Sequence, residues 1–353
     1  MPYRVIQWST GNVGKYALRA IVGHPELELA GLVVSNPDKV GKDAAELCGL
    51  DAPTGIVATD DWKSLLANGA DCVCYTADAG MRMTEAVDDM AAVLEAGVNV
   101  VSCSMVMLVD PDSPFPPFVD PLREACAKGG ANFLTSGIDP GFANDTLPLT
   151  LTGVSEHWKQ VRVQEIVNYA TYEQGDTVMN VMGFGQPLDA TPYLLEPGIL
   201  SLAWGGTIRQ LARGLGVELD EIREVHERRP AERHLELSYG RVAKGTTAAL
   251  RFEVQGIVGG EPALVVEHVT RMCDDIAPDW PQGKGYAVFV EGEPRMHLVL
   301  DMEDRHGDHA VGGVILTATR IVNAIPAVVE ARAGMLSSLD LPMVTGKGLY
   351  RPD

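Results

Sequence analysis

Basic residues are scarce: 28 Lys and Arg stand against 48 Asp and Glu, a formal net charge of -20. A field of that sign repels the phosphates of nucleic acid and of anionic lipid headgroups, so the sequence predicts no nucleic-acid partner and no membrane partner. Apolar runs are short. None continues uninterrupted for the roughly 20 residues that a bilayer-spanning helix needs, and Met1 to Ser9 enters a strand pattern without a charged-then-apolar leader, so the expected compartment is cytoplasmic. Cysteine is limited to six residues, Cys48, Cys72, Cys74, Cys103, Cys126 and Cys273, with no CxxC pair among them. Scattered thiols of that kind read as buried and reduced rather than as a disulfide frame. Cys72 and Cys74 share a strand face but have no further ligands nearby in sequence, and His306 and His309 around Asp308 lack a coherent third ligand, so no metal is expected. Internal repeats and low-complexity linkers are absent as well.

What is present is an ordinary globular composition, 46% hydrophobic and 22% charged over 353 residues. That length exceeds the size at which one core stops growing, which predicts more than one domain. Strands are expected at Tyr3–Trp8, Leu27–Val34, Gly55–Thr59, Cys72–Thr76, Val98–Ser102 and Asn132–Thr135. Helical spacing lies between them at Lys15–Val22, Trp62–Leu66, Thr84–Ala96 (with Thr84 as its cap) and Phe118–Lys128. Strands alternating with helices and carrying few polar residues indicate a parallel sheet covered on both faces. After Gly137-Ile138-Asp139-Pro140-Gly141-Phe142 the pattern changes to long extended segments: Trp158–Tyr172, Glu221–Tyr239, Thr247–Val258, Ala263–Cys273 and Tyr286–Leu300. Gly259-Gly260 and Glu291-Gly292 read as hairpin turns, and one helix is expected at Leu202–Leu215. Val314–Ala333 reads as an apolar helix kinked or broken near Pro326. The expected class is α/β, an N-terminal Rossmann-type parallel sheet followed by a C-terminal α+β domain with a largely antiparallel sheet. The expected boundaries are 1–140 for the dinucleotide-binding domain, 141–320 for a substrate and dimerisation domain, and 321–353 for a helical segment and tail packing back on the region between them. Met81 and Met83 read as ordinary packing residues.

The sharpest motif is Ser9-Thr10-Gly11-Asn12-Val13-Gly14, a Rossmann fingerprint with serine at its first glycine position. Gly11 lets backbone approach a pyrophosphate, Gly14 allows close helix-to-strand packing, and the helix N-terminus offers unpaired N–H groups to phosphate. Ser9, Thr10, Gly11, Asn12 and Val13 are therefore candidate cofactor contacts. The tip of the second strand carries Ser35, Asn36 and Lys39 instead of the acidic residue that binds a ribose 2'-hydroxyl, which favours NADP and leaves NAD open. Thr76, Ala77 and Ser102 follow later strands at the carboxyl edge, where ligands bind open parallel sheets. Candidates for the chemistry are Glu165 and Tyr169, placed on one face by alternation, with Tyr169 as a donor to a carbonyl oxygen or imine nitrogen, and Asp139 in the crossover, which reads equally as a turn former. Asn144-Asp145 reads as a helix cap, and His268 more readily as a satisfied core histidine than as an acid or base.

Three stretches carry a family likeness: QWSTGNVGKYALR at Gln7 to Arg19, SNPDKVGKD at Ser35 to Asp43, and GIDPGFANDTLP at Gly137 to Pro148. With GDHAVGGVILTATRIVNAIPAVVEARAG at Gly307 to Gly334, the chain resembles the group with a dihydrodipicolinate-reductase-like N-terminal domain, and within it 2,4-diaminopentanoate dehydrogenase and the native NAD(P)-dependent amine dehydrogenases. The likeness implies an enzyme, a homodimer, and hydride transfer between nicotinamide and a small carbonyl, imine or amine substrate. Members with amine activity carry a functional glutamate just after the fifth strand. Here that stretch is Val100-Val101-Ser102-Cys103-Ser104-Met105-Val106, without a carboxylate at 105 or 106. An ammonia-independent ketone or alcohol oxidoreductase, or an inactive NADP-binding protein, are the alternatives that this departure keeps open.

Overall fold

The apolar segments of the first half pair as the strand and helix alternation predicts. In this computed structural model, which describes residues 1–80, 82–172 and 174–352, Met81 lies outside the described residues. β1 (Tyr3–Trp8), α1 (Asn12–Gly23), β2 (Leu27–Val33), α2 (Ala44–Cys48), β3 (Ala58–Thr59), α3 (Trp62–Ala67) and β4 (Cys72–Tyr75) follow one another. α4 (Met83–Glu95), β5 (Asn99–Ser102), α5 (Pro116–Gly129) and β6 (Asn132–Thr135) complete the run. α4 begins after Arg82, so Thr84 sits inside the helix instead of capping it. The second half contains α6 (Thr146–Thr152), β7 (His157–Asn168), α7 (Ile199–Leu215), β8 (Glu221–Pro230), β9 (Leu235–Leu237), β10 (Gly240–Val242), β11 (Thr247–Val258), β12 (Glu261–Arg271), β13 (Gly285–Glu293) and β14 (Met296–Leu300). α8 (His309–Glu330) and β15 (Gly334–Leu336) close the chain.

These elements form two compact units, one of residues 1–142 with 314–353 and one of residues 143–313. The first holds a seven-stranded sheet in the order β15-β6-β5-β4-β1-β2-β3, every pair of it parallel. Its strands are continuous apolar runs because both faces are covered. All four residues of β4, Cys72 to Tyr75, are 0% exposed. The six cysteines are free thiols, and burial pushes that of Cys103 up to about 12.

α8 runs through Pro326 without the break that proline can impose. Ile321, Val322, Ala324, Ile325 and Val328 on both sides of the proline are fully buried in one core with Val5, Ile21, Cys74 and Leu134. At about 1.5–3 kcal/mol for each large side chain buried, that packing outweighs one lost backbone hydrogen bond. By length and composition α8 could also cross a bilayer, but a core helix passes the same test.

The second unit holds a six-stranded sheet ordered β14-β13-β7-β12-β11-β8. Its pairs are antiparallel except for β7 with β12, which is parallel. The hairpin expected at Glu291-Gly292 turns later, between Glu293 and Met296, and Gly292 marks a register shift within β13, where a Cβ would run into the backbone of His157 and Trp158. The extended run Glu221–Tyr239 breaks after Pro230, since β8 is followed by the small β9–β10 ladder. One face of the large sheet is apolar. Leu250, Phe252, Val254, Leu264 and Val266 pack there with Leu200, Ile208 and Leu211 of α7 in a single core.

The C-terminus of α8 leaves carbonyls without intrahelical partners. Asn132, 3% exposed at the start of β6, reaches two carbonyls there: its Nδ2 donates to that of Val328 at 2.8 Å, which also accepts the Ala331 N–H at 3.3 Å, and to that of Ala331 at 3.0 Å. Asn132→Ala is expected to cost about 1–3 kcal/mol of unfolding free energy, the loss of two hydrogen bonds at about 0.5–1.5 kcal/mol each. A urea melt with an unchanged midpoint would remove this role.

Candidate active site

The glycine turn is built from the strand before it. Gln7, fully buried in β1, donates from Nε2 to the Ser9 carbonyl at 2.9 Å and to Thr76 Oγ1 at 2.8 Å, and Thr76 donates in turn to the Trp8 carbonyl at 2.9 Å. Those bonds hold Ser9 at φ 82°, where serine is rarely found, and its Oγ accepts the Gly11 N–H at 3.2 Å. A Cβ on Gly14 would overlap the Ser9 carbonyl and stand 2.8 Å from Thr76 Oγ1, so only glycine lets α1 start this close to the strand. Among the described residues no side chain caps α1. Its first-turn N–H groups at Asn12, Val13 and Gly14 have no intrahelical acceptor, and a Cβ at Gly11 would meet only Ser9 Oγ at 3.6 Å. An uncapped helix end with open backbone before it is a cradle for a pyrophosphate, and the residues present fit a dinucleotide.

The remaining cofactor candidates stand around that cradle. Lys39 reaches back from the tip of β2 and donates from Nζ to Thr10 Oγ1 at 2.9 Å and to the Thr10 carbonyl at 3.2 Å. Ser35 and Asn36 are exposed beside it, with Asn36 Oδ1 accepting the Asp38 N–H. Ala77 follows Thr76 at the end of β4, and the buried Ser102 accepts the Ser104 N–H on its Oγ at 3.0 Å. Met105 is 2% exposed and precedes the short helical turn that begins at Val106. Asp139 sits half-buried in a tight turn where Phe142 N–H donates to the Gly137 carbonyl at 2.9 Å and Ile138 N–H to Thr317 Oγ1 at 3.3 Å. Asp145 caps α6, accepting from Thr146 N–H and Oγ1 and from Gln210 Nε2.

In the second unit the register of the sheet creates a polar row. Tyr286, Glu165, His268, Phe252 and His226 stand opposite one another across β13, β7, β12, β11 and β8. The next row on that face is Val288, Val163, Val266 and Val254, none more than 1% exposed. A carboxylate beside such a row needs donors, and it has them: Tyr286 hydroxyl donates to Glu165 Oε1 at 2.5 Å, and His268 Nδ1 lies 2.8 Å from Oε2. His268 stacks on Phe252 with centroids 4.6 Å apart and planes 9° from parallel, and Trp204 of α7 tilts against it at 4.6 Å. Tyr169 lies just beyond the end of β7, stacked on Tyr172 at 4.5 Å, and its carbonyl accepts from Tyr239 hydroxyl. Burial, and then the charge of Glu165, push the Tyr172 phenol up to about 12.

The opposite face of the same strands pairs its charges. Arg162 donates to Glu253 at 2.8 Å and Glu267 at 2.6 Å, while Arg251 donates to Glu267 at 2.6 Å and Glu253 at 3.2 Å. The structure thus brings Glu165 together with His268, Tyr286 and Trp204, of which the sequence singled out Glu165 and noted His268. Gln7 had one visible signal, a polar residue within the apolar run from Val5 to Trp8. Tyr286 had none, because only the β7–β13 register puts it opposite Glu165.

Comparison with known proteins agrees with this architecture. Residues 142–348 match the family model described as 2,4-diaminopentanoate dehydrogenase C-terminal domain. The chain is 43% identical over 344 residues to an amine dehydrogenase of Streptomyces virginiae, covering 96% of each chain. It is 25% identical over 278 residues to 2,4-diaminopentanoate dehydrogenase of Acetoanaerobium sticklandii, covering 78% of this chain and 74% of that one. The solved structure of an amine dehydrogenase from Mycobacterium smegmatis has the same fold, with a TM-score of 0.77 at 20% identity over 99% of this chain and 98% of that one.

Because its folded pKa is raised from 10.0 to about 12, the Tyr172 phenol contributes stability that is complete below about pH 10 and is lost as pH rises toward about 12. Glu165→Gln removes the second cause and leaves burial. The phenolate absorbance assigned to Tyr172, as wild type minus Y172F, is expected at lower pH in E165Q, and an identical midpoint would separate the two side chains.

Proposed function

The chain belongs to the 2,4-diaminopentanoate dehydrogenase and amine dehydrogenase family of nicotinamide-dependent oxidoreductases, and on that premise we propose that it interconverts a small, largely apolar amine with the corresponding carbonyl compound and ammonia, using NADP in preference to NAD. The bound nicotinamide supplies or accepts the hydride. The chain's own residues hold the cofactor and handle the nitrogen. Ser9, Thr10, Gly11, Asn12 and Val13 take the pyrophosphate, with Thr76, Ala77 and Ser102 along the same sheet edge. Lys39, Ser35 and Asn36 supply donors suited to a 2'-phosphate, and among the described residues no carboxylate partners Lys39 Nζ, which supports this reading.

The observation that carries the amine reading is Glu165, a carboxylate with an 11% exposed side chain beside an apolar valine row. A fixed negative charge there favours the positive forms of the nitrogen, ammonium and iminium, over a neutral carbonyl. It supplies what Met105 and Val106 cannot. Apolar walls select substrates by shape, worth only about 1–3 kcal/mol per methylene, which predicts broad specificity. The face bearing Arg162, Arg251, Glu253 and Glu267 is a proposed homodimer surface: its charges cancel within each copy, so two chains of net charge -20 can meet there. Sedimentation as a monomer at all concentrations would contradict that. Free thiols support a cytoplasmic location, which secretion of the protein would contradict.

Incubation with NADPH and a panel of small ketones is expected to consume NADPH only when ammonium is added, with amine as product. Ammonium-independent turnover to alcohol would replace this reading with ketone reduction, and NADPH binding without turnover would replace it with a binding protein. Lys39→Gln is expected to weaken NADPH binding roughly 10- to 100-fold, the loss of a charge-assisted bond of about 1.5–3 kcal/mol, with little effect on NADH. Equal losses for the two cofactors would remove Lys39 from phosphate recognition.

A further inference from the structure

Both oxygens of Glu165 are engaged, Oε1 by the Tyr286 hydroxyl and Oε2 by His268 Nδ1. An ionised carboxylate only accepts, so Nδ1 of His268 carries the hydrogen and the basic lone pair of the neutral ring lies on Nε2. The ring is fixed in that orientation by the parallel stack on Phe252 and the tilted contact with Trp204. A carboxylate with both oxygens bonded is a poor proton carrier. An imidazole held by a carboxylate at Nδ1 is a good one, since the same carboxylate offsets the imidazolium charge when Nε2 takes a proton.

We propose that His268 is the catalytic acid and base of the amine reaction, exchanging a proton between Nε2 and the substrate nitrogen, and that Glu165 and Tyr286 are positioning residues that fix its tautomer. This rests on the amine dehydrogenase reading. In the oxidative direction one N–H bond of the substrate ammonium breaks and its electron pair stays on nitrogen, giving the free amine that oxidation requires. The Nε2–H bond forms, and that proton later passes to solvent water. In the reductive direction the free amine left by hydride addition takes the proton back from Nε2–H, the N–H bond of the product ammonium forming as Nε2–H breaks. Among the described residues of the second unit, Glu165 bonds the ring, Tyr286 bonds Glu165 and Tyr172 feels the charge of Glu165, while α7 presents the uncharged Trp204. Glu253 and Glu267 are tied to Arg162 and Arg251 on the other face, and His226 at the end of the row is exposed with Phe252 between.

The test compares the intact wild-type chain with His268→Asn, which keeps an N–H for Glu165 but no titrating nitrogen, and with E165Q and Y286F. His268→Gln serves as a second variant if the first does not fold. Oxidation of 2-aminobutane and cyclohexylamine by NADP is followed across pH, NADP binding is measured separately, and the imidazole of His268 is titrated by NMR without cofactor, assigned as the one of eight histidines missing from the variant. Expected are a roughly 10²- to 10⁴-fold loss of kcat in H268N with NADP binding retained, and disappearance of the acid limb of the wild-type profile. The NMR titration should report hydrogen on Nδ1. Its midpoint should move to lower pH in E165Q, where the anion is gone, and to higher pH in Y286F, where Glu165 no longer shares its charge with the phenol. Near wild-type kcat with an unchanged acid limb in H268N, or hydrogen on Nε2 of the neutral ring, would overturn the proposal. Asp139→Asn runs beside them, and loss of the acid limb in that variant while H268N retains it would transfer the role to Asp139. A wild type that oxidises neither amine, nor forms amine from the ketone panel with ammonium, would overturn the functional reading itself, and this proposal with it.

Discussion

A buried carboxylate survives in a protein only if its charge is met, and the second unit is organised around meeting the charge of Glu165. Three strands contribute: β7 brings the carboxylate, β12 an imidazole and β13 a phenol, and each bond requires a particular register. Sliding either neighbour by one residue would turn His268 or Tyr286 to the opposite face. The carboxylate would then stand against valines with its desolvation uncompensated, a cost of several kcal/mol. The valine row at 163, 254, 266 and 288 fixes the register by packing, and the polar row makes it chemically useful.

The first unit solves a different problem, how to leave backbone donors unsatisfied without destabilising the helix that carries them. Gln7 and Thr76 absorb the strain of the Ser9 turn with buried hydrogen bonds, so the start of α1 can remain uncapped and available to phosphate. A parallel sheet buried on both faces gives that turn a rigid base. β15, arriving from the far end of the chain to pair with β6, and α8, pinned at its C-terminus by Asn132, extend the same core.

Local rules made one half of this account legible from the residues. Ser9-Thr10-Gly11-Asn12-Val13-Gly14 between a strand and a helix has few physical readings, and Lys39 in place of an acidic residue points toward phosphate on the same grounds. Glu165 was legible as a carboxylate on an extended segment, set apart by alternation. Its partners were not, because His268 lies 103 residues away and Tyr286 121 residues away along the chain. Their approach follows from a parallel β7–β12 pair inside a mainly antiparallel sheet, which hairpin signals cannot announce. Tyr169 read as sharing a face with Glu165, but β7 ends at Asn168 and the ring stacks on Tyr172. The break that Pro326 allows does not occur, since its local cost is small beside the burial of the helix on either side of it.

Amine chemistry at the Glu165 row is the central claim. Its most direct test is a crystal structure of the chain with oxidised cofactor and a bound amine. The account predicts the amine nitrogen within hydrogen-bond reach of His268 Nε2, with Glu165 still held by Tyr286 and by Nδ1. A nitrogen bound away from that row, with no contact to any of the three, would contradict it.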